Sequence, residues 1–295
     1  MYSPSATIVN VFPILRHLPL SFPIFKFQEV AAKSQKLTSE MLEVPFEFVR
    51  HNMESGSDKS SLLRKFLELN DADGGDKDQE FAIKGVCATA YAAGSDTTVA
   101  SIEAFFLAMG MYPDIQKKAQ AELEKVIGSG RIPGYEQRPN LPYIEAIFRE
   151  TLRWSPVVPL GLWKATSEED IVDGYYVPKG ATVINNIWAI SRDEAIYPDP
   201  ESFNPERFLK EDGTCNDDDT MFIFGAGRRI CPGRHFASAT LWLAITSVLV
   251  EFDVGKPTTL DGKEVRSLED VNDTDGFLSH PNRFMCSITP RSRSR

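Results

Sequence analysis

The apolar positions of this chain fall into a few long helical repeats, followed by a stretch in which the period shortens. Residues 26–53 carry mixed charge and spaced apolar side chains and predict a helix, with Pro45 marking an interruption. A Ser/Gly/Asp-rich loop over 54–61 leads to a short amphipathic helix from Leu62 to Leu69. A charged, glycine-containing loop then runs from Asn70 to Asp78. From Gln79 to Met111, Ala, Val, Ile, Leu and Phe dominate, which predicts a central helix buried nearly all round and closed by Pro113. Residues 113–127 predict an amphipathic, strongly charged helix ended by Gly128. Asn140 reads as the N-cap of the next helix, with Pro142 in its first turn. Leu141, Ile144, Ile147, Phe148 and Leu152 recur there at helical spacing.

After Pro156 the texture changes. Asp170 to Gly180 reads as strand, turn, strand, turn, and Ala181–Asn186 is a further β-rich run. Loops rich in Pro and Asp occupy 197–220. Phe236–Phe252 predicts the last long helix, and a final strand falls near Phe284–Ile288. The implied fold class is mainly α with a small β region, which excludes a doubly wound sheet. The opening 25 residues are apolar but broken by Pro4, Pro13, Pro19 and Pro23. They suit either a segment lying on a membrane surface or a loop and short helix packed on the core. They lack the pattern of a secretory leader, and no segment reaches the roughly 18 uninterrupted apolar residues of a membrane span.

Composition changes this picture little, at 42% hydrophobic and 25% charged residues over 295. The net charge of -10 argues against nucleic acid as a partner, since phosphate binding needs a basic surface. The basic tail Arg291–Arg295 is short and reads as a frayed end. Cys87, Cys215, Cys231 and Cys286 form no Cys-x-x-Cys pair, which argues against zinc ribbons and redox motifs. Their scatter suits free thiols in a reduced compartment, although the even count leaves disulfides open.

The chemistry centres on Phe224-Gly225-Ala226-Gly227-Arg228-Arg229-Ile230-Cys231-Pro232-Gly233. It sets one cysteine at the end of a glycine-rich, doubly basic loop, just before a helix start. Free backbone N–H groups, the helix dipole and two arginines all favour a thiolate there. An inert buried cysteine is the bland alternative, and the surrounding glycines and arginines count against it. A dinucleotide loop fails on spacing, because its third glycine would fall on Ile230. A zinc pair of Cys231 with His235 lacks clustered further ligands, with only three other histidines in the chain. A thiolate-ligated haem iron suits the loop.

Ala93-Gly94-Ser95-Asp96-Thr97-Thr98 lies in the middle of the long helix. A mid-helix glycine costs ~1 kcal/mol relative to alanine. Threonine side chains can take a carbonyl four residues back and open the ladder. The result is either a local bulge able to bind water and relay protons, or a kink for close packing. The hexapeptide alone does not decide. Glu150 and Arg153 share a helical face and by themselves read as a surface pair worth ~0.3–0.5 kcal/mol.

Together these residues resemble the cytochrome P450 monooxygenases. Phe224-x-x-Gly227-x-Arg229-x-Cys231-x-Gly233 resembles their haem-binding signature, and Glu150-x-x-Arg153 their K-helix motif. Ala93-Gly94-x-Asp96-Thr97-Thr98 matches their oxygen-activating motif. Pro205-Glu206-Arg207-Phe208 matches the segment whose arginine completes a buried Glu–Arg–Arg triad, and Trp188–Asp193 also fits. Order and spacing agree, and the surrounding text looks most like fungal secondary-metabolism members. The resemblance implies that residues 1–295 form a partial domain, from the F–G region, beginning near Phe12–Pro19, to the C-terminus. The anchor and first helices would then be absent, leaving apolar helix faces exposed.

For the site, the resemblance implies Cys231 as axial iron ligand and Arg229 as a haem-propionate donor. Phe224 would pack beside the sulfur, and Gly227 would shape the loop. Asp96 and Thr97 would deliver protons for oxygen activation. Trp163-Lys164 stands where the family usually has a Pro-His-like pair near a propionate, and Lys164 keeps that charge but not its geometry. The implied reaction inserts one oxygen atom from O2 into a small apolar organic substrate, with electrons from an NADPH-dependent cytochrome reductase. The family works at the cytosolic face of the endoplasmic reticulum membrane, whereas a chain without an anchor would be soluble or peripheral. The alternative is a catalytically incompetent fragment or a haem-binding remnant.

Overall fold

The computed structural model describes residues 27–56, 59–273 and 277–291, together with Ile14. The expectations for the opening 25 residues, including the Phe12–Pro19 match, lie otherwise outside the described residues, as does the tail beyond Arg291. Contacts divide the chain after Asp96 into two units.

The first unit holds helix α1 (Phe27–Glu54), helix α2 (Leu62–Ala72) and the start of helix α3 (Lys77–Met111). The expected interruption at Pro45 does not occur, and α1 runs through it. A proline removes one N–H and crowds the carbonyl four residues earlier. Packing just beyond it holds the helix together. Phe46 is buried with Leu63 and Leu67, and Val49, Met53, Ile83 and Cys87 pack around them. Arg50 also pairs with Asp71 at 3.2 Å and with Glu80. The Ser61 hydroxyl caps α2 by accepting the Arg64 N–H at 3.1 Å.

Helix α3 is unbroken, so the Ala93–Thr98 segment carries no bulge. The hydroxyls of Ser95 and Ser101 donate to the carbonyls of Tyr91 and Thr97 at 2.8 and 3.1 Å, and the ladder survives both. All-round burial is also corrected. Ala100, Ala104, Phe105, Leu107, Ala108 and Met109 are buried, but Phe81, Val86, Tyr91 and Val99 are exposed. An apolar sequence records what a helix can bury, and only the later turns meet the core described next.

The second unit continues with helix α4 (Pro113–Val126) and helix α5 (Pro142–Trp154). Strands β1 (Lys164–Ala165), β2 (Asp170–Val172), β3 (Tyr175–Val177) and β4 (Thr182–Val183) follow, then the short helix α6 (Ile187–Ser191) and helix α7 (Arg234–Glu251). Strands β5 (Phe252–Val254), β6 (Thr258–Thr259), β7 (Asn272–Asp273), β8 (His280–Pro281), β9 (Phe284–Met285) and β10 (Ile288–Pro290) complete it. Phe105 and Met109 of α3, Leu123 of α4, Ile144 and Ile147 of α5, and Trp242, Ile245 and Leu249 of α7 share one core. Each such side chain contributes roughly 1.5–3 kcal/mol on burial. Gly110 is required here, because a Cβ would lie 2.6 Å from the Gly255 carbonyl oxygen.

The described strands form antiparallel pairs, β1–β4, β2–β3, β5–β10, β6–β9 and β7–β8. The β2–β3 hairpin turns on Asp173 (φ +50°) and Gly174 (φ +84°), the left-handed pair that suits strand twist. The single strand expected near Phe284–Ile288 is two, of which β10 pairs with β5. Arg291 is not frayed. Its N–H donates to the Glu251 carbonyl at 2.9 Å, and its guanidinium pairs with Glu124 at 2.6 Å.

Asn140 does not cap α5, since its amide donates to Gln137 at 3.1 Å and the capping position falls on Leu141. The open N–H groups of Tyr143 and Ile144 instead donate to the two carboxylate oxygens of Glu122 on α4, each at 3.0 Å. Desolvation raises the Glu122 pKa above its ordinary 4.5 despite those two bonds. The folded state therefore holds this proton to higher pH than the unfolded chain. Its contribution to stability falls as pH rises from about 4.5 through the raised value. Unfolding midpoints of wild type and Glu122→Gln, measured across that window, should differ by a slope of this sign. Glu122→Ala should cost about 1–2 kcal/mol, as loss of a cap does.

Candidate functional site

Two short turns, Met221–Phe224 and Gly227–Arg229, deliver the chain to Cys231. The Gly225 N–H donates to the Phe222 carbonyl at 3.0 Å, Ile230 N–H to Gly227 at 3.2 Å, and Cys231 N–H to Phe224 at 2.9 Å. Gly225 (φ +84°) and Gly227 (φ +64°) take left-handed conformations that a side chain would strain. A Cβ at either position would meet nothing within 4 Å, so open space lies beside the loop. The Cys231 carbonyl accepts from the Arg234 side chain at 3.3 Å. Gly233 caps α7 without a side-chain bond to its first N–H groups. Upstream, Asp218 accepts the N–H of Thr220, a buried residue with φ +56°, at 3.0 Å. Arg234 and the Asp218–Thr220 brace escaped the sequence reading, although Asp two residues before Thr is a recognisable side-chain turn signal.

The structure thus gathers Phe224, Gly227, Arg229 and Cys231 in one braced loop. Cys231 is half-buried, Phe224 packs partly against the core, and Arg228 and Arg229 are exposed. Burial pushes the thiols of Cys87, Cys215 and Cys286 up and keeps them protonated. Asp96 and Thr97 occupy consecutive positions of α3, the first exposed and the second half-buried. Lys164 lies on β1 opposite Val183, after the exposed Leu160, Leu162 and Trp163. Among the described residues no group of three or more His, Cys, Asp or Glu is placed to hold a metal ion.

The second unit also holds a buried charge cluster, and it corrects the surface reading of Glu150 and Arg153. Both are fully buried. The Glu150 carboxylate accepts from Arg153 Nε at 2.6 Å and Nη2 at 2.8 Å, from Arg207 Nε at 3.2 Å, and from the Asn204 N–H at 2.7 Å. Arg153 spends Nη1 on the Ser191 carbonyl at 2.8 Å, and Arg207 donates to the Pro198 and Asp199 carbonyls. This cluster joins α5 to the irregular chain over 191–207.

The donor set fits haem. It offers one thiol as metal ligand, open space beside two glycines for a flat ligand, and guanidinium groups on the same turn for acidic substituents. Phe236, in the first turn of α7, is 76% exposed.

Comparison with known proteins gives the same direction. A family model described as Cytochrome P450 matches residues 1–287. The chain is 40% identical over 294 residues to cytochrome P450 monooxygenase claR of Ampulloclitocybe clavipes, covering 99% of this chain and 53% of that protein. It is 40% identical over 291 residues to cytochrome P450 monooxygenase 176 of Postia placenta, covering 98% and 56%. With cytochrome P450 monooxygenase COX2 of Coprinopsis cinerea it shares 39% over 290 residues, covering 96% and 54%. The chain therefore spans about half the length of these relatives. On the loop, the buried Glu–Arg–Arg cluster and a match over nearly all its residues, the chain belongs to the cytochrome P450 family of haem-thiolate proteins.

Proposed function

We propose that this chain carries the haem-ligating and oxygen-activating part of a monooxygenase that inserts one atom of O2 into a small apolar organic substrate. The observation that carries the reading is the Cys231 thiol, set on a loop braced by backbone bonds and left-handed glycines. Haem, when bound, supplies the oxygen and electron-transfer chemistry.

The chain's own residues ligate, orient and move protons. Cys231 Sγ would ligate the haem iron. Arg229 would offer its donors to a propionate, Gly227 would let the backbone come close, and Phe224 would pack beside the sulfur. Lys164 offers a second cation to the acidic substituents. The Asp96 carboxylate and Thr97 hydroxyl hold and pass protons at their side-chain oxygens. Electrons come from an NADPH-dependent cytochrome reductase, and the working location is the cytosolic face of the endoplasmic reticulum. Among the described residues no helix is long and apolar enough to cross a membrane.

The test is the chain expressed with haem supply, reduced and exposed to carbon monoxide. A strongly red-shifted Soret band, the mark of thiolate ligation, is expected. A band at the position given by histidine-ligated haem proteins overturns the assignment. The coverage of only about half of each relative favours a second reading, in which the chain alone holds haem without completing turnover. Oxygenated product formed with added reductase would sink that reading.

A further inference from the structure

Thr220 is a buried, β-branched residue held at φ +56°, a conformation such residues rarely take. It sits directly before the turn Met221–Phe224, whose last carbonyl accepts the Cys231 N–H at 2.9 Å. Backbone in this region persists only where its surroundings over-determine it. Here one carboxylate does so with both oxygens. Asp218 Oδ1 accepts the Thr220 N–H at 3.0 Å, and Oδ2 accepts the Tyr197 hydroxyl at 2.7 Å. Burial, then the bond to Asp218, push the Tyr197 phenol above its ordinary pKa, so it stays a donor.

Tyr197 lies on the chain between α6 and the Pro205–Phe208 turn and is itself buried. It forms a small core with Ala146 of α5 and Phe208, against which Phe222 packs. Its ring is 6.4 Å from the Phe222 ring, within the turn that leads to Cys231. The Arg153 guanidinium sits 5.4 Å over the same ring. Arg149 holds the backbone of this stretch, donating to the Asn216 and Asp218 carbonyls at 2.8 Å each. The Tyr197 hydroxyl instead holds the Asp218 carboxylate, the group that meets Thr220.

We propose that Tyr197 and Asp218 are positioning residues for the Cys231 loop. The Tyr197 hydroxyl aims the Asp218 carboxylate, and the carboxylate keeps Thr220 left-handed. That bend sets the direction in which the following turn presents Cys231. This rests on the function proposed above.

The test is the ratio of two Soret bands in the reduced, carbon monoxide-treated, haem-loaded chain. The red-shifted band reports thiolate ligation, and the shorter-wavelength band reports a loop whose thiolate has let go. Tyr197→Phe deletes only the hydroxyl. It is expected to raise the shorter-wavelength band relative to the red-shifted one about tenfold, as loss of a hydrogen bond to a charged group does. Glycine takes positive φ without help, so in a Thr220→Gly background the same change should move the ratio less than about twofold. A hydroxyl that only supported the fold would act alike in both backgrounds. In haem-free chain, amide exchange at Cys231 should quicken in Tyr197→Phe at unchanged far-ultraviolet dichroism. If that variant does not fold, Asp218→Asn leaves one acceptor oxygen for two donors, and the same rise is expected. An unchanged ratio, an equal rise in both backgrounds, or unchanged Cys231 exchange overturns the proposal alone. No red-shifted band in the parent chain overturns the haem reading, and this inference with it.

Discussion

Cys231→Ala is expected to abolish the thiolate signature completely, and Cys231→His to replace it with the spectrum of a nitrogen-ligated haem. The loop geometry makes this a clean experiment. The Cys231 N–H bonds the Phe224 carbonyl at 2.9 Å, and its carbonyl holds Arg234, so neither contact needs the sulfur. The side chain is only half-buried, and its removal should move the unfolding free energy by about 0.5–1 kcal/mol. A change confined to the spectrum then reports ligation rather than folding. Absorption of the reduced, carbon monoxide-treated variants beside their far-ultraviolet dichroism makes the comparison. A red-shifted band that survives in Cys231→Ala would mean another thiol is the ligand. Cys87, Cys215 and Cys286 are poor candidates, since burial raises each of their pKa values and disfavours the thiolate.

What the sequence makes legible here is what one element carries within itself. The spacing of Ile144, Ile147, Phe148 and Leu152 defines the buried face of α5, because those positions align on one side of any helix. Asp173-Gly174 marks its hairpin because few residues adopt left-handed φ. The glycines and cysteine of the ligand loop are readable for the same reason. What stays illegible is settled across the chain. Asn140 has the right chemistry for a cap, but Glu122 reaches the α5 donors from 21 residues earlier. Local rules see only that Pro45 breaks a ladder, whereas packing of Phe46 on Leu63 and Leu67 keeps α1 intact. The exposed first turns of α3 show that an apolar run does not say what covers it. The Glu103–His280 pair leaves no local trace. A histidine and a glutamate 177 positions apart become neighbours only once α3 and the C-terminal hairpin are in place.

The buried Glu150 cluster is where local and tertiary readings differ most in energy. Three residues apart on an exposed helix, Glu150 and Arg153 would contribute a few tenths of a kcal/mol. Fully buried, the pair is governed by desolvation, and the cost of breaking it is set by the charge left behind. Glu150→Ala leaves the Arg153 and Arg207 guanidiniums and the Asn204 N–H without the acceptor they share. A loss of about 3–5 kcal/mol is expected, enough to unfold a marginal domain. Arg207→Ala should cost less. It leaves Glu150 with two bonds from Arg153, and the Arg207 side chain is 8% exposed where those of Glu150 and Arg153 are fully buried. Arg153→Lys should stay near the Glu150→Ala cost, because an ammonium cannot reproduce two parallel bonds to one carboxylate while also reaching the Ser191 carbonyl. Denaturant unfolding of the three variants, of Arg153→Ala and of the Glu150→Ala/Arg153→Ala double variant measures the coupling. If the cluster acts as a unit, the double variant loses clearly less than the sum of the singles, since removing both partners strands fewer charges. Additive losses would mean that each residue is held by its own backbone contacts, and that the cluster does not join α5 to the 191–207 segment.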